Sequence, residues 1–443
     1  MRILFILPAI GKKPGQKYIG TWKMEPYTIA VLKALTPEDI DTILFDDRIE
    51  CIDYEADIDL VAIPVETYTA RRSYHIASEF HKRGRKVVMG GYHVTLMPDE
   101  VKEYADTIVV GNAEPVWGQL IADFREGRMK PRYDGGYAYT ERVPDKSIFE
   151  GKKYLPVSLV ETGRGCCHSC EFCAISEYYG GCYYRREHAD ITAEIERSKH
   201  RIHFLVDDNL FADRRNAMQL FEDITPNKII WAGQGTLSMG RDPELLKSMK
   251  KSGCELILIG FESLNSENLA QMNKSFNMAS GERDELVKRI HDAGIGIYST
   301  FIFGYDHDTE KTFDDTVEFA LKHRFYTSAF NHLLPFPGTR LYDRYQSEGR
   351  LLYDKWWLEE GYKYGEVAFK PKNMTPEALS SLCRQARKEF SSPGAVLKRG
   401  IASMQRSSPM MWSLFWAMNL RLGEEIDEKM NVPIGENLDA MPK

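Results

Sequence analysis

The sequence predicts an α/β protein in three parts: a doubly wound parallel sheet, a partial (β/α)6 barrel, and a helical C-terminal region. Three observations predict it. Five short apolar runs alternate with helical spacing before residue 135. A glycine pair and a Val-Pro-Asp turn then interrupt the pattern. Six further strand-then-helix units begin at Pro156.

In the first part, residues 1–135, Ile3–Leu7, Thr42–Phe45, Leu60–Pro64, Lys86–Met89 and Thr107–Val110 read as strands, and Tyr27–Leu35 carries helical spacing. Ligands of such sheets sit beyond the carboxyl ends of the strands. Those ends carry Pro8–Gly20, Asp46–Arg48, Glu66–Thr69, Gly90-Gly91-Tyr92-His93 and Gly111-Asn112-Ala113-Glu114. The glycines admit close backbone approach to a bulky ligand. His93 reads equally as a ligand contact and as a polar residue that steadies a loop tip. Residues 136–155 read as a linker.

In the second part, residues 156–344, strands are expected at Val157–Thr162, His203–Val206, Ile229–Gln234, Leu256–Gly260, Gly296–Phe303 and Ser328–Leu334. Ile191–Lys199, Arg215–Glu222, Asp242–Lys251 and Gly281–Ala293 are expected as helices between them. Active sites of such barrels lie at the carboxyl ends of the strands. The third part, residues 345–443, has helical stretches at Pro376–Glu389, Ala395–Met404 and Trp412–Leu420. Its aromatic loop residues Trp356, Trp357, Tyr362 and Tyr364 read as packing against the barrel, with a substrate entrance as the alternative.

A net charge of -7 over 443 residues gives no basic surface for nucleic acid. Met1–Pro8 reads as a buried strand rather than a signal peptide, and no apolar run reaches membrane-spanning length. The eight cysteines are unevenly placed, four of them within eight residues. That is no secreted disulfide framework, and a reducing cytoplasm is the expected location.

The four lie in Gly165-Cys166-Cys167-His168-Ser169-Cys170-Glu171-Phe172-Cys173. The spacing C-x3-C-x2-C brings three thiolates to one small volume, one fewer than a closed zinc site or a fully ligated cubane needs. A zinc site would take its fourth ligand from Cys167, His168 or Cys182. A [4Fe–4S] cluster on three thiolates would instead keep one iron open. On the motif alone both readings stand, and Cys167 admits a second register.

In this spacing, with Phe172 just before the last cysteine, the run resembles the signature of the radical S-adenosylmethionine (SAM) superfamily. The resemblance implies a [4Fe–4S] cluster on Cys166, Cys170 and Cys173, whose open iron chelates SAM and whose electron cleaves it to a 5′-deoxyadenosyl radical. The first part resembles the cobalamin-binding domain that precedes the barrel in one class of these enzymes, through Gly90-Gly91-Tyr92-His93, Pro98-Asp99-Glu100 and Gly111-Asn112-Ala113-Glu114 with Trp117 beyond. One departure is the absence of D-x-H-x-x-G, whose histidine ligates cobalt in many cobalamin proteins. Gly90, Gly91, His93, Gly111 and Glu114 become the expected cobalamin contacts.

For SAM the resemblance points to Phe172, to Asp207, Asp208 and Asn209 near the amine or ribose, to Gln234 facing the barrel interior, and to Glu262 and Ser263 at the fourth strand end. Asn209 also reads as a helix cap. Arg185, or its neighbour Arg186, is the expected partner of the SAM carboxylate, with a solvated turn as the alternative. The implied activity is cobalamin-dependent methylation of an unactivated carbon in a small metabolite or lipid precursor, fed by an electron donor such as flavodoxin or ferredoxin. Radical chemistry without methyl transfer on an empty cobalamin-type domain is the alternative, and a zinc-stabilised binding protein is the remote one.

Overall fold

The computed structural model describes residues 1–139, 142–274, 280–404 and 406–439. Thr140 and Glu141 of the expected linker lie outside the described residues. The first sheet contains β1 (Arg2–Leu7), β2 (Asp41–Asp46), β3 (Leu60–Pro64), β4 (Lys86–Gly90), β5 (Thr107–Gly111) and β6 (Arg132–Gly136) in the order β2-β1-β3-β4-β5-β6, every pair parallel. Ile3, Leu4, Phe5 and Ile6 of β1 are fully buried, as a central strand covered on both faces requires. The order reverses at β1, so a crevice opens beyond the carboxyl ends of β1 and β3.

β6 falls where the sequence suggests only the approach to a linker. Its single large apolar residue, Tyr133, is buried with its hydroxyl 2.8 Å from Asp123. A Cβ on Gly135 would fall 1.7 Å from the Asn112 carbonyl oxygen. Glycine therefore lets β6 press against the end of β5, and periodicity cannot reveal so short a strand.

The second sheet begins with β7 (Ser158–Val160); a separate antiparallel pair, β8 (Gly163–Gly165) and β9 (Tyr183–Arg185), follows it in the chain. The sheet continues with β10 (Ile202–Leu205), β11 (Ile230–Gly235), β12 (Cys254–Glu262), β13 (Gly296–Phe303) and β14 (Thr327–His332). The parallel order β7-β10-β11-β12-β13-β14 follows the chain and leaves β7 and β14 as edges, an open six-stranded barrel. In β13, Ile297, Ser299, Phe301 and Phe303 are buried, whereas Tyr298, Thr300 and Ile302 are partly exposed. That alternation separates a helix-covered face from an open inner one.

The C-terminal region does two jobs. Its helices Pro393–Met404 and Pro409–Asn419 close the barrel floor, with Val396, Met411 and Phe415 packed on Ile230, Leu256 and Tyr326 at the amino ends of barrel strands. Its aromatic loop packs against the barrel, through Trp356 on Phe336 and Trp357 on Tyr342, and reaches further than expected. Trp356, Trp357 and Tyr362 enter the core of the first sheet, beside Ile63, Val65 and Val94. β15 (Lys363–Tyr364) pairs with β16 (Val432–Pro433) nearby, and a helix over Leu422–Lys429, unforeseen in the sequence, precedes β16.

Candidate active site

The cysteine run begins where the first barrel strand ends. β8 and β9 pair with Arg164 opposite Tyr184 and pinch residues 166–182 into a loop beside the carboxyl ends of the barrel strands. The pairing demands its glycines. A Cβ on Gly163 would lie 2.1 Å from the Tyr183 hydroxyl, and one on Gly165, at φ 85°, 2.2 Å from the Cys182 carbonyl oxygen.

The segment after β10 supplies the second anchor. Asp207, 1% exposed, accepts from the Thr162 N–H at 2.7 Å, the Thr162 hydroxyl at 2.7 Å and the Tyr183 hydroxyl at 3.2 Å. Asp208 accepts from the Gly165 N–H at 2.9 Å, and Asn209 Nδ2 donates to Cys166 Sγ at 3.8 Å. Asn209 Oδ1 also accepts from the Phe211 N–H. The trio expected beside SAM is thus occupied with the segment that carries Cys166. Burial pushes the carboxyls up, to about 7 for Asp207 and about 6 for Asp208.

The far side of the loop is tied down as firmly. Asn273 Nδ2 donates to the Ser169 carbonyl at 2.9 Å, and Arg344 donates to Glu171 at 2.8 Å. Cys170 is buried, Cys166 and Cys173 are half-buried, and Cys167 and Cys182 are exposed. Burial pushes the Cys170 thiol up to about 11 and raises Cys166 as well. These sulfurs are therefore thiols until a metal displaces their protons. Among the described residues, no three His, Cys, Asp or Glu side chains gather tightly enough to hold one metal ion.

β12 ends on an irregularity. Its register with β13 slips between Gly260 and Glu262, and Glu262 adopts the left-handed φ of 60°. The buried Glu262 carboxylate lies 2.7 Å from Lys274 Nζ. A Cβ on Gly260 would fall 2.2 Å from that carboxylate and 2.9 Å from Nζ. Burial works against the Lys274 charge, yet Glu262 and the neighbouring Cys170 hold the ammonium above its ordinary range. A cation thus stands beside the cysteine sulfurs with its own counter-ion.

A chain of cavities joins this loop to the first sheet. One of about 180 Å³ lies beyond β3, β4 and β5; Gly90, Gly91, Gly111 and Glu114 line it, with Arg164, Tyr178 and Tyr179 from the cysteine loop and its base. It shares Pro64 and Glu66 with a cavity of about 530 Å³ at the β1/β3 crevice. That cavity shares Tyr68 and Tyr364 with a third, of about 220 Å³, lined by Phe172, Ile302, Asn331 and His332 at the barrel mouth. A larger groove of about 960 Å³ runs along the connecting segment and shares no residue with the cysteine loop.

The remaining expected residues divide. Gly90 lies open to the first cavity, with no contact to an added Cβ closer than 3.5 Å, whereas Gly91 and Gly111 give room chiefly to the Val65 and Gly136 carbonyls. Glu114 accepts from Arg164 Nη1 at 2.5 Å, and Arg164 Nε donates to Glu161 at 2.8 Å, so the triad joins the first sheet to the cysteine hairpin. Gln234 is half-exposed at the end of β11, and its carbonyl accepts from the Leu210 N–H.

Three expectations need correction. His93 is no loop tip; it is fully buried, 3.2 Å from both Thr67 Oγ1 and Glu100 Oε1. The Ser263 hydroxyl accepts from the Asn265 N–H and shapes a turn. Arg185 is exposed and pairs with Asp213 at 3.2 Å, while buried Arg186 donates to Glu194 at 2.5 Å and to Tyr27 at 3.0 Å.

Sequence reasoning missed Lys274 and Arg164 as site residues, whereas Glu66 and Tyr68 lie at a strand end where it expected ligands. Glu66 and Tyr68 follow directly after β3, a position that marks ligand-facing residues. Glu66 is exposed to the cavities yet deeply surrounded, and that burial raises its carboxyl. Tyr364 arrives from the C-terminal region and lines the barrel-mouth cavity, in keeping with the entrance reading of that loop.

Known proteins resemble this chain in sequence and fold. The radical SAM superfamily model matches residues 160–320. The bacteriochlorophyllide d C-12(1)-methyltransferase of Chlorobaculum tepidum is 30% identical over 371 residues, 81% of this chain and 79% of the relative. The C-8(2)-methyltransferase of the same organism is 28% identical over 352 residues, 74% of this chain and 77% of the relative. A solved structure of the radical SAM methyltransferase TsrM from Kitasatospora setae, with cobalamin and a [4Fe–4S] cluster bound, has the same fold, with a TM-score of 0.69 at 16% identity over 96% of this chain and 99% of that one. The chain belongs to the radical SAM superfamily, in the class of enzymes that carry a cobalamin-binding domain ahead of the catalytic barrel.

Proposed function

We propose that this enzyme methylates an unactivated carbon of a small, largely apolar metabolite. Residues 1–136 would form the cobalamin-binding unit, one residue longer than the sequence suggests because β6 ends at Gly136; 156–344 would form the barrel and 345–443 the C-terminal cap. The observation that carries the reading is the run of cavities from the glycine-edged strand ends of the first sheet to Phe172 in the cysteine loop. When bound, the cluster with SAM supplies a hydrogen-abstracting radical and cobalamin supplies the methyl group.

Cys166, Cys170 and Cys173 fit a three-thiolate cluster site. They share one anchored loop, and Asn209 reaches the first sulfur. Lys274 offsets the negative charge that three thiolates bring into a partly buried place, and Glu262 holds Lys274 there. Gly90 leaves the first cavity edged by backbone, and together with the adjoining crevice of about 530 Å³ it offers room for a large ligand rich in amides. Tyr68, Phe172 and Tyr364 give the barrel mouth an aromatic lining that excludes water from a reacting carbon. The two relatives act, by name, on bacteriochlorophyllides, so flat tetrapyrroles are the first substrates to offer. A flavodoxin or ferredoxin would deliver the electron.

One observation favours a second reading, radical chemistry without methyl transfer: among the described residues, no histidine lines the two cavities at the first sheet to ligate cobalt. The deciding experiment counts iron, cobalt and zinc in anaerobically prepared protein offered cobalamin, then adds SAM, reductant and a tetrapyrrole. About four irons with cobalt, 5′-deoxyadenosine and a product heavier by one methylene support methylation. Iron and 5′-deoxyadenosine without cobalt support the second reading. Zinc without iron overturns both.

A further inference from the structure

The floor of the barrel carries a surface that catalysis does not use. Between Pro393 and Arg421 every charged residue is basic, namely Lys398, Arg399, Arg406 and Arg421, although the whole chain has a net charge of -7. The two helices of this segment, Pro393–Met404 and Pro409–Asn419, pack tightly on each other. Trp412 Nε1 donates to the Gly400 carbonyl at 2.9 Å, and a Cβ on Gly400 would lie 2.4 Å from the Trp416 ring.

Their inner faces are fully engaged. Val396, Met411 and Phe415 pack on the barrel floor, and Arg399, 1% exposed, donates to the carbonyls of Phe325, Tyr326 and Phe390. Their outer faces are bare and apolar. Leu397, Ile401 and Met404 stand at positions i, i+4 and i+7 with exposures of 54%, 56% and 56%, and Met410, Met418 and Leu420 continue the surface. These are six of the eight exposed large hydrophobic side chains among the described residues. Scattered apolar side chains are ordinary on a protein surface; a concentration of them marks an interface.

Charge identifies the occupant. Lys398 and Arg421 are exposed and Arg406 is half-exposed, with no acidic residue between Pro393 and Arg421. A second copy docked face to face would set these cations against their counterparts, which opposes association. No helix among the described residues is long and apolar enough to cross a membrane. The apolar face has Lys398 and Arg421 exposed at its edges and Trp412 and Trp416 half-buried along its helix, with the exposed Glu424, Asp427 and Glu428 on the following helix. It matches an anionic lipid surface, where apolar side chains enter the acyl boundary and cations meet phosphates. We propose that this helix pair docks the enzyme flat on an anionic membrane surface without spanning it. The cysteine loop lies at the opposite end of the barrel, so docking leaves the site's mouth directed away from the lipid.

The test is flotation of the full-length chain with phosphatidylcholine vesicles that contain phosphatidylglycerol, and with vesicles of phosphatidylcholine alone. The chain floats with the mixed vesicles, less so at high salt. Leu397→Asp with Ile401→Asp abolishes flotation, and Lys398→Ala and Arg421→Ala each weaken it about fivefold. Because all four positions are exposed, the variants keep the parent's circular dichroism and melting profile; if the aspartate pair does not, the two alanine variants decide. The proposal falls if the chain stays unbound to both vesicle types, or if the variants float like the parent. It also falls if sedimentation shows a self-association that the aspartate pair removes, which would give the face to a second copy.

Discussion

Replacing Glu262 by alanine and by glycine separates two energies held at the end of β12. The first is the buried pair with Lys274, 2.7 Å apart beside Cys170. Removing one partner of a buried pair costs about 3–5 kcal/mol, because the remaining charge loses its compensation. The second is the left-handed backbone at φ 60°, which costs a residue with a Cβ about 1–2 kcal/mol. Alanine loses the pair and keeps the strain. Glycine loses the pair and relieves the strain, less the roughly 0.5–1 kcal/mol of extra chain entropy it must surrender. Glu262→Gly should therefore be about 1 kcal/mol more stable than Glu262→Ala, and both should lie well below the parent. Glu262→Gln with Lys274→Met should recover most of the loss, since no uncompensated charge remains. Urea unfolding of the metal-free chain under reducing conditions measures these three variants, Glu262→Gln alone and the parent. Refutation would be a Glu262→Ala loss below about 1 kcal/mol, or a double variant no more stable than Glu262→Gln alone.

Other outcomes follow from the same contacts. Asp207→Ala strands the Thr162 and Tyr183 donors and should cost about 2–4 kcal/mol together with bound iron; Asp207→Asn keeps an acceptor and should retain most of both, as metal analysis and melting will report. Cys170→Ala should abolish iron binding while Cys167→Ala, exposed at the loop surface, leaves it intact, measured by iron content per chain. Burial opposes the Glu100 charge, but hydrogen bonds from His93, Trp357, Lys355 and Tyr74 outweigh it and lower the carboxyl from 4.5 to about 2. Its contribution, about 3 kcal/mol, is present above pH 4.5 and is lost as pH falls through about 2. Glu100→Gln should accordingly flatten the stability profile over that acid range in a pH series of urea midpoints. Arg164→Met leaves Glu114 and Glu161 facing each other without their cation, and faster proteolysis at the junction of the two sheets should reveal it.

Strands with continuous apolar runs were legible because their burial is written in local composition. β3 and β13 span the residues that periodicity indicates, and the sequential barrel follows from its repeated units. β6, β8 and β9 were not legible, since their short segments pair through glycines whose use appears only when the partner strand is in place. The site divides along the same line. The cysteine spacing announces a chemistry, and the glycines after β4 and β5 announce a cavity edge. The tasks of Asp207, His93 and Arg185 depend on what the fold sets opposite them, respectively Thr162, Glu100 and Asp213. Identity alone does not distinguish a carboxylate that fastens a loop from one that meets a cofactor.

The tryptophan pair inside the first sheet bears on how the protein is made. Trp356 and Trp357 complete a core whose other walls, such as Ile63, Val65 and Val94, leave the ribosome more than 250 residues earlier. Contacts this distant in sequence form late and slow the search for the native state. Throughout translation of the barrel, the first sheet would wait with a hydrophobic face uncovered, a condition that invites aggregation. A fragment ending before Trp356 is therefore a poor candidate for independent expression, and a chaperone that shields this face during synthesis would favour the yield of active enzyme.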